Sequence, residues 1–113
     1  MAGWKTKYDE EILTARQARF RGKEGQARVC ARRAAGIIVR EYFLLHGIPV
    51  NTLSSYELLL KLRQIPELND PARKAAESLT LHVTHEFNLP VEVDLIEEVQ
   101  VLAIALIPGF REL

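Results

Sequence analysis

Apolar positions recur at helical spacing in five stretches, with glycine or proline in the gaps between them. The longest covers residues 26–46 (QARVCARRAAGIIVREYFLLH). It has no proline and only one glycine, Gly36, which predicts a helix of about five or six turns. Gly25 precedes it, and Gly47 stands where a left-handed cap would end it. Ala27, Ala31 and Ala35 leave a strip without bulk along which another backbone can approach. Beyond Ala34, the residues Ile37, Ile38, Val39, Tyr42, Phe43, Leu44 and Leu45 make the helix apolar nearly all round. Such a helix is expected at the centre of the fold, covered on several sides.

The remaining stretches arrange themselves about it. Residues 7–21 carry a stripe of Tyr8, Ile12 and Ala15, with Leu13 and Phe20 beside it. Asp9, Glu10 and Glu11 stand early, and Arg16, Arg19 and Arg21 late, the order that suits a helix dipole. The short break at 22–25 implies antiparallel neighbours. Residues 48–52 read as a loop carrying Pro49. Ser54 with Glu57 forms a capping box that opens a short third helix; Leu58, Leu59, Leu62 and Ile65 face inward, and Pro66 ends it. Asp70 followed by Pro71 is a second start signal, an N-cap with proline at the first helical position. Ala72, Ala75, Ala76, Leu79, Val83 and Phe87 carry that fourth helix to about residues 85–87, and 88–93 (NLPVEV) read as an extended connector. Asp94 with Glu97 opens the last helix, which buries Leu95, Ile96, Val99, Leu102, Ala103 and Leu106 and stops at Pro108 and Gly109. Val101, Ile104 and Ala105 make its other faces apolar too, so part of it is expected in a subunit interface. No stretch reads as a strand and no internal repeat appears. The fold expected is all-α: a single domain over residues 1–113, an antiparallel up-and-down helical bundle of four principal helices and one short one.

Composition adds class and compartment. Apolar residues make up 48% and charged residues 27% of 113, a globular balance with enough chain to bury a core unaided by disulfide or metal. No apolar run reaches the roughly 18–20 residues of a membrane span, and the opening MAGWKTKYDE lacks a signal peptide's apolar block. A cytoplasmic protein without a membrane partner is expected. Cys30 is the one cysteine, which excludes an internal disulfide; among alanines it reads as a small buried hydrophobe. Net charge is zero but uneven. Residues 1–50 carry ten Lys/Arg against five Asp/Glu, giving +5, and residues 51–113 carry five against ten, giving −5. Either the basic half meets a phosphate-bearing partner, or the two halves neutralise each other within or between protomers.

Candidate chemistry is sparse. Arg28 and Arg32 lie one turn apart on the long helix, and Arg33 and Arg40 form a second row about 20° apart in projection. With Arg19, Arg21 and Lys23 they make a basic strip able to contact several phosphates, although Glu77, Glu97 and Glu98 are equally good partners for them. His82, His85 and Glu86 offer a metal two nitrogens and a carboxylate, but no fourth ligand is evident; no metal or other cofactor is expected. Ser54 and Ser55 suit capping better than nucleophilic attack, and Cys30 has no base on its own helix.

The segment EGQARVCARRAAGIIVREYFLL (24–45), the loop and short helix after it, and residues 73–107 with LPVEVDLIEEVQVLAIAL resemble the HEPN superfamily. The resemblance spans roughly residues 8–107. It implies a small all-α domain, often homodimeric and associated with nucleotides, RNA or a nucleotidyltransferase partner. Ribonuclease members carry Arg, four to six residues, then His near the start of the final helix. In them the Arg orients phosphate, and the His moves protons for attack by the ribose 2′-OH. No arginine lies between Arg73 and Arg111 here, so that place is empty; the spacing occurs instead at Arg40 and His46. On one helix those two stand about 120° apart in projection and about 9 Å apart along the axis.

The function expected is a non-catalytic HEPN-like binding or accessory module, a homodimer through the apolar faces of the central and last helices, with Arg28, Arg32, Arg33 and Arg40 contacting a nucleotide, RNA or a nucleotidyltransferase partner. One alternative is a metal-independent ribonuclease with His46 as general acid/base and Arg40 on the scissile phosphate. The other is a purely structural homodimer.

Overall fold

The computed structural model describes residues 3–81 and 93–111. Helix α1 (Trp4–Phe20) begins three residues before the sequence pattern does, because its first turn has a tertiary partner. Trp4 stacks on Phe110 at 6.4 Å, Tyr8 meets the same ring edge-on at 5.2 Å, and Lys5 Nζ reaches Asp9 Oδ1 at 2.7 Å. At its far end the amides of Gly22 and Lys23 turn back onto Arg19 O (2.9 Å) and Ala18 O (2.8 Å), with Gly22 at φ +76°. This double bond through a left-handed glycine closes the helix and starts α2 (Glu24–Leu45) within three residues. Gly47, at φ +67°, ends α2 in the same way, and Ile48 N donates to Phe43 O at 2.8 Å.

Helix α2 is the hub. It packs on α1, on α5 (Leu95–Leu106) and on α3 (Ser55–Arg63). Ala27, Cys30, Ala31, Ala34, Ala35, Gly36, Ile38, Val39 and Phe43 are buried, but the last turn is covered on one side only, with Leu44 and Leu45 both exposed. The small residues permit one close crossing. At Gly36 an added Cβ would stand 2.7 Å from Ser55 Cβ and 3.1 Å from Ser55 Cα.

Local caps hold the shorter helices in place. Ser54 Oγ accepts from Glu57 N at 3.2 Å; the return half of the box runs through Thr52, whose hydroxyl donates to Glu57 Oε2 at 2.6 Å and accepts from Ser54 N at 3.1 Å. Helix α3 stops at Arg63, where Arg73 donates to Arg63 O and Ile65 O, each at 2.8 Å. Helix α4 (Asp70–Leu79) is capped by Asn69, one residue before the expected Asp70. Asn69 Oδ1 accepts from Ala72 N at 2.9 Å, which places Pro71 second in the helix. Both side chains are good caps, so composition alone does not choose between them.

Helix α4 also ends at Leu79, earlier than the apolar spacing suggests. The Thr80 hydroxyl donates back to Ala76 O, and Arg32 takes the carbonyls of Leu79 and Leu81. Val83, Phe87 and the expected connector up to residue 92 lie outside the described residues. In α5 the Asp94 carboxylate accepts from Ile96 N (3.0 Å) and Glu97 N (3.3 Å). One core, from Tyr8 and Ile12 to Leu106 and Ile107, draws side chains from all five helices. Among the described residues there is no strand, and no helix is long and apolar enough to cross a membrane.

Candidate functional site

The arginines of the basic half separate into those occupied within the chain and those left exposed. Arg19 is fully engaged. Its Nε and Nη2 grip Glu24 at 3.0 and 2.8 Å, while Nη1 lies 2.9 Å from both oxygens of Asp94. One side chain thereby joins α1, the start of α2 and the cap of α5. Hydrogen bonding to Glu24 holds the Arg19 guanidinium above its ordinary range, with Asp94 adding to the effect against the cost of burial. Glu24 is correspondingly lowered, first by its bonds to Arg19. Burial alone would raise Asp94, but Arg19 and the amides of Glu97 and Ile96 outweigh it and hold the carboxyl low.

That pairing has a pH signature. Carboxyls held below their ordinary values of 4.5 and 3.8 stabilise the fold fully above those values, and the stabilisation is lost as pH falls through the lowered ones. Glu98, raised by burial and by its neighbours Glu97 and Asp94, works in the opposite sense and is relieved by protonation. Thermal melts are therefore expected to show Tm falling as pH drops below about 4. Arg19→Met is expected to flatten that fall and to cost about 1 kcal/mol at pH 7, modest because the three side chains are each about a third exposed or more. An unchanged acid profile in the variant would contradict the assignment.

Arg32 is half-buried and serves a different partner. Nε donates to Leu79 O at 2.9 Å and Nη2 to Leu81 O at 2.8 Å, so a cation sits at the negative end of the α4 dipole. Burial lowers its proton affinity and adjacent Arg28 lowers it further, opposed by Tyr56. Arg28 also lies close enough to Glu24 to depress that carboxyl. Arg33 is exposed and belongs to no ion pair among the described residues, where the pairs are Lys5–Asp9, Arg19–Glu24 and Arg19–Asp94. Glu77, Glu97 and Glu98, the carboxylates expected to meet these arginines, are in none of them. Arg21 and Lys23 are exposed in the α1–α2 turn.

Arg40 and His46 have separate surroundings. Arg40 Nη2 donates to Thr52 O at 3.4 Å and lines a groove of about 460 Å³ with Leu44, Val50, Asn51, Thr52 and Leu53. His46, exposed at the α2 C-cap, packs against the Tyr42 ring at 4.3 Å. His82, His85 and Glu86 lie outside the described residues, and among the described residues no three His, Cys, Asp or Glu gather as a metal site. Cys30 is buried, and burial together with Glu11 pushes its thiol up, against the pull of Arg33. A second hollow, about 360 Å³ and almost wholly apolar, lies between α4 and α5 at Asn69, Pro71, Val101, Ile104 and Ala105.

The partners of Arg32, Arg63 and Arg73 were not legible beforehand. Their acceptors are Leu79 O and Leu81 O, the Thr80 hydroxyl, and Arg63 O and Ile65 O. A carbonyl acceptor leaves no mark in residue identity. The chain as a whole matches no family model, no curated protein and no solved structure.

Proposed function

We propose that the chain is a non-catalytic, HEPN-like binding module, an antiparallel up-and-down bundle that contacts a phosphate-bearing partner through the basic side of α2. The observation that carries this reading is Arg32, a half-buried cation that is repelled by neighbouring Arg28 and is in no ion pair among the described residues. An anion beside that pair relieves both the repulsion and the burial cost, and Arg33 adds an exposed charge on the same helix. RNA, a nucleotide and a nucleotidyltransferase carrying one are the partners that fit. Arg40 extends the row toward the C-terminal end of α2.

The test uses Arg33, because it is exposed and in no ion pair among the described residues. Affinity for labelled single-stranded RNA is expected to fall steeply with salt. Arg33→Glu is expected to reduce the logarithmic salt slope by about 0.7 or more, with Tm moved by the equivalent of about 0.5 kcal/mol or less. Equal salt slopes for wild type and variant would contradict the reading.

A homodimer through α5 is a second proposal, supported by Val101 (42% exposed) and Ile104 (66% exposed) beside the apolar α4–α5 hollow. Light scattering at twice the protomer mass, reduced to one by Ile104→Glu, is its expected result; a concentration-independent wild-type monomer rejects it.

A further inference from the structure

One large apolar side chain stands almost wholly outside the core. Phe20, the last residue of α1, is 93% exposed. Ala18 closes the buried stripe of that helix, and two residues further is about 200° of rotation, which turns the ring outward. The ring makes no aromatic or cation–π contact among the described residues. The backbone beneath it is nevertheless fixed. Arg21 N and Lys23 N both donate to Ala18 O, at 3.1 and 2.8 Å, and Gly22 turns the chain at φ +76°. The preceding side chain, Arg19, is held by Glu24 and Asp94. A ring carried on so constrained a turn meets a ligand with little backbone ordering left to lose.

Its surroundings are cationic. Residues 16–33 hold seven Lys/Arg and a single carboxylate, Glu24, which is engaged with Arg19. Arg16 lies one turn before Phe20 on the same face of α1, and Arg21 and Lys23 follow in the turn. All three are exposed and in no ion pair among the described residues. An open aromatic ring with cations before and after it matches a flat base that carries a phosphate on either side. Those are the parts of a polynucleotide chain rather than of a free nucleotide, whose phosphates extend one way only. A duplex keeps its base faces stacked, so the chain is single-stranded. A lipid surface fits less well, because the next exposed large apolar side chain of α1, Leu13, stands two turns away. We propose that Phe20 stacks one base of a single-stranded polynucleotide, with the neighbouring phosphates on Arg16, Arg21 and Lys23. This rests on the phosphate-binding reading and narrows it: the partner is a single strand, and its path continues from α2 round the α1–α2 turn.

The experiment titrates the full chain into two labelled octamers, one of uridylate and one of the same ribose–phosphate chain without bases. Fluorescence anisotropy gives both affinities at several salt concentrations. The wild type is expected to bind the base-bearing octamer about fivefold or more tighter than the abasic one, with both affinities falling as salt rises. Phe20→Leu keeps an apolar side chain and removes the ring. It is expected to erase the preference with salt slope and melt unchanged, whereas Phe20→Trp is expected to keep it. Arg33→Glu is expected to lower both affinities and leave their ratio alone. Equal wild-type affinities, or a preference that survives Phe20→Leu, would overturn the stacking, while salt-dependent binding of both octamers would leave the phosphate reading standing. Binding of neither octamer would overturn both. Equal affinities together with capture on phosphatidylserine vesicles would assign the ring to a lipid surface instead.

Discussion

Gly36→Ala is expected to destabilise the protein by about 2–3 kcal/mol in chemical unfolding. The sign is the informative part, because an exposed mid-helix glycine replaced by alanine gains up to about 1 kcal/mol. At this position the new methyl meets Ser55, with Cβ at 2.7 Å and the backbone Cα at 3.1 Å. Rotating the serine side chain moves its Oγ but not its Cβ or Cα, which shift only with α3 as a whole. The helices must separate, which opens the core at Leu58 and Leu59, both fully buried. Adding Ser55→Gly removes the side-chain clash but leaves the new methyl crowded against the α3 backbone, so partial recovery is expected in the double variant. A Gly36→Ala protein as stable as wild type would mean that α2 and α3 do not approach so closely.

Arg32→Met is expected to cost about 2 kcal/mol, the scale of losing hydrogen bonds from a charged donor. Methionine retains the apolar stem and removes the fork, leaving Leu79 O and Leu81 O without their donor at the end of α4. Arg32→Lys is expected to fall between the two, since one ammonium does not span both carbonyls in the planar geometry. A melt unchanged by Arg32→Met would show that the side chain does not hold α4. Because Arg32 is part of the fold, its variants confound stability with ligand binding, whereas Arg33 separates them.

What could be read in the sequence was local. Gly47, Ser54 and Asp94 act within one turn of where they stand, and each caps the helix expected of it. The neighbours Asn69 and Asp70 both qualify as caps, and the structure decides by one residue. What escaped the sequence was tertiary. Trp4 is helical because Phe110 returns to cover it, and the Ala27, Ala31, Ala35 strip is core while the close approach happens at Gly36. The basic strip looked uniform as a row of letters. In space Arg19 belongs to two carboxylates, Arg32 to two carbonyls and Arg40 to a loop, leaving Arg33 exposed on α2 and Arg21 and Lys23 exposed in the turn before it.

The most direct test of the binding-module reading is incubation of the protein with labelled single-stranded RNA in EDTA, with His46→Ala alongside, read both for retention and for length. The expected result is intact RNA in both samples, retained at low salt and released as salt rises. Cleavage by the wild type alone would contradict the account and identify a ribonuclease, and retention indifferent to salt would remove the phosphate binding on which it rests.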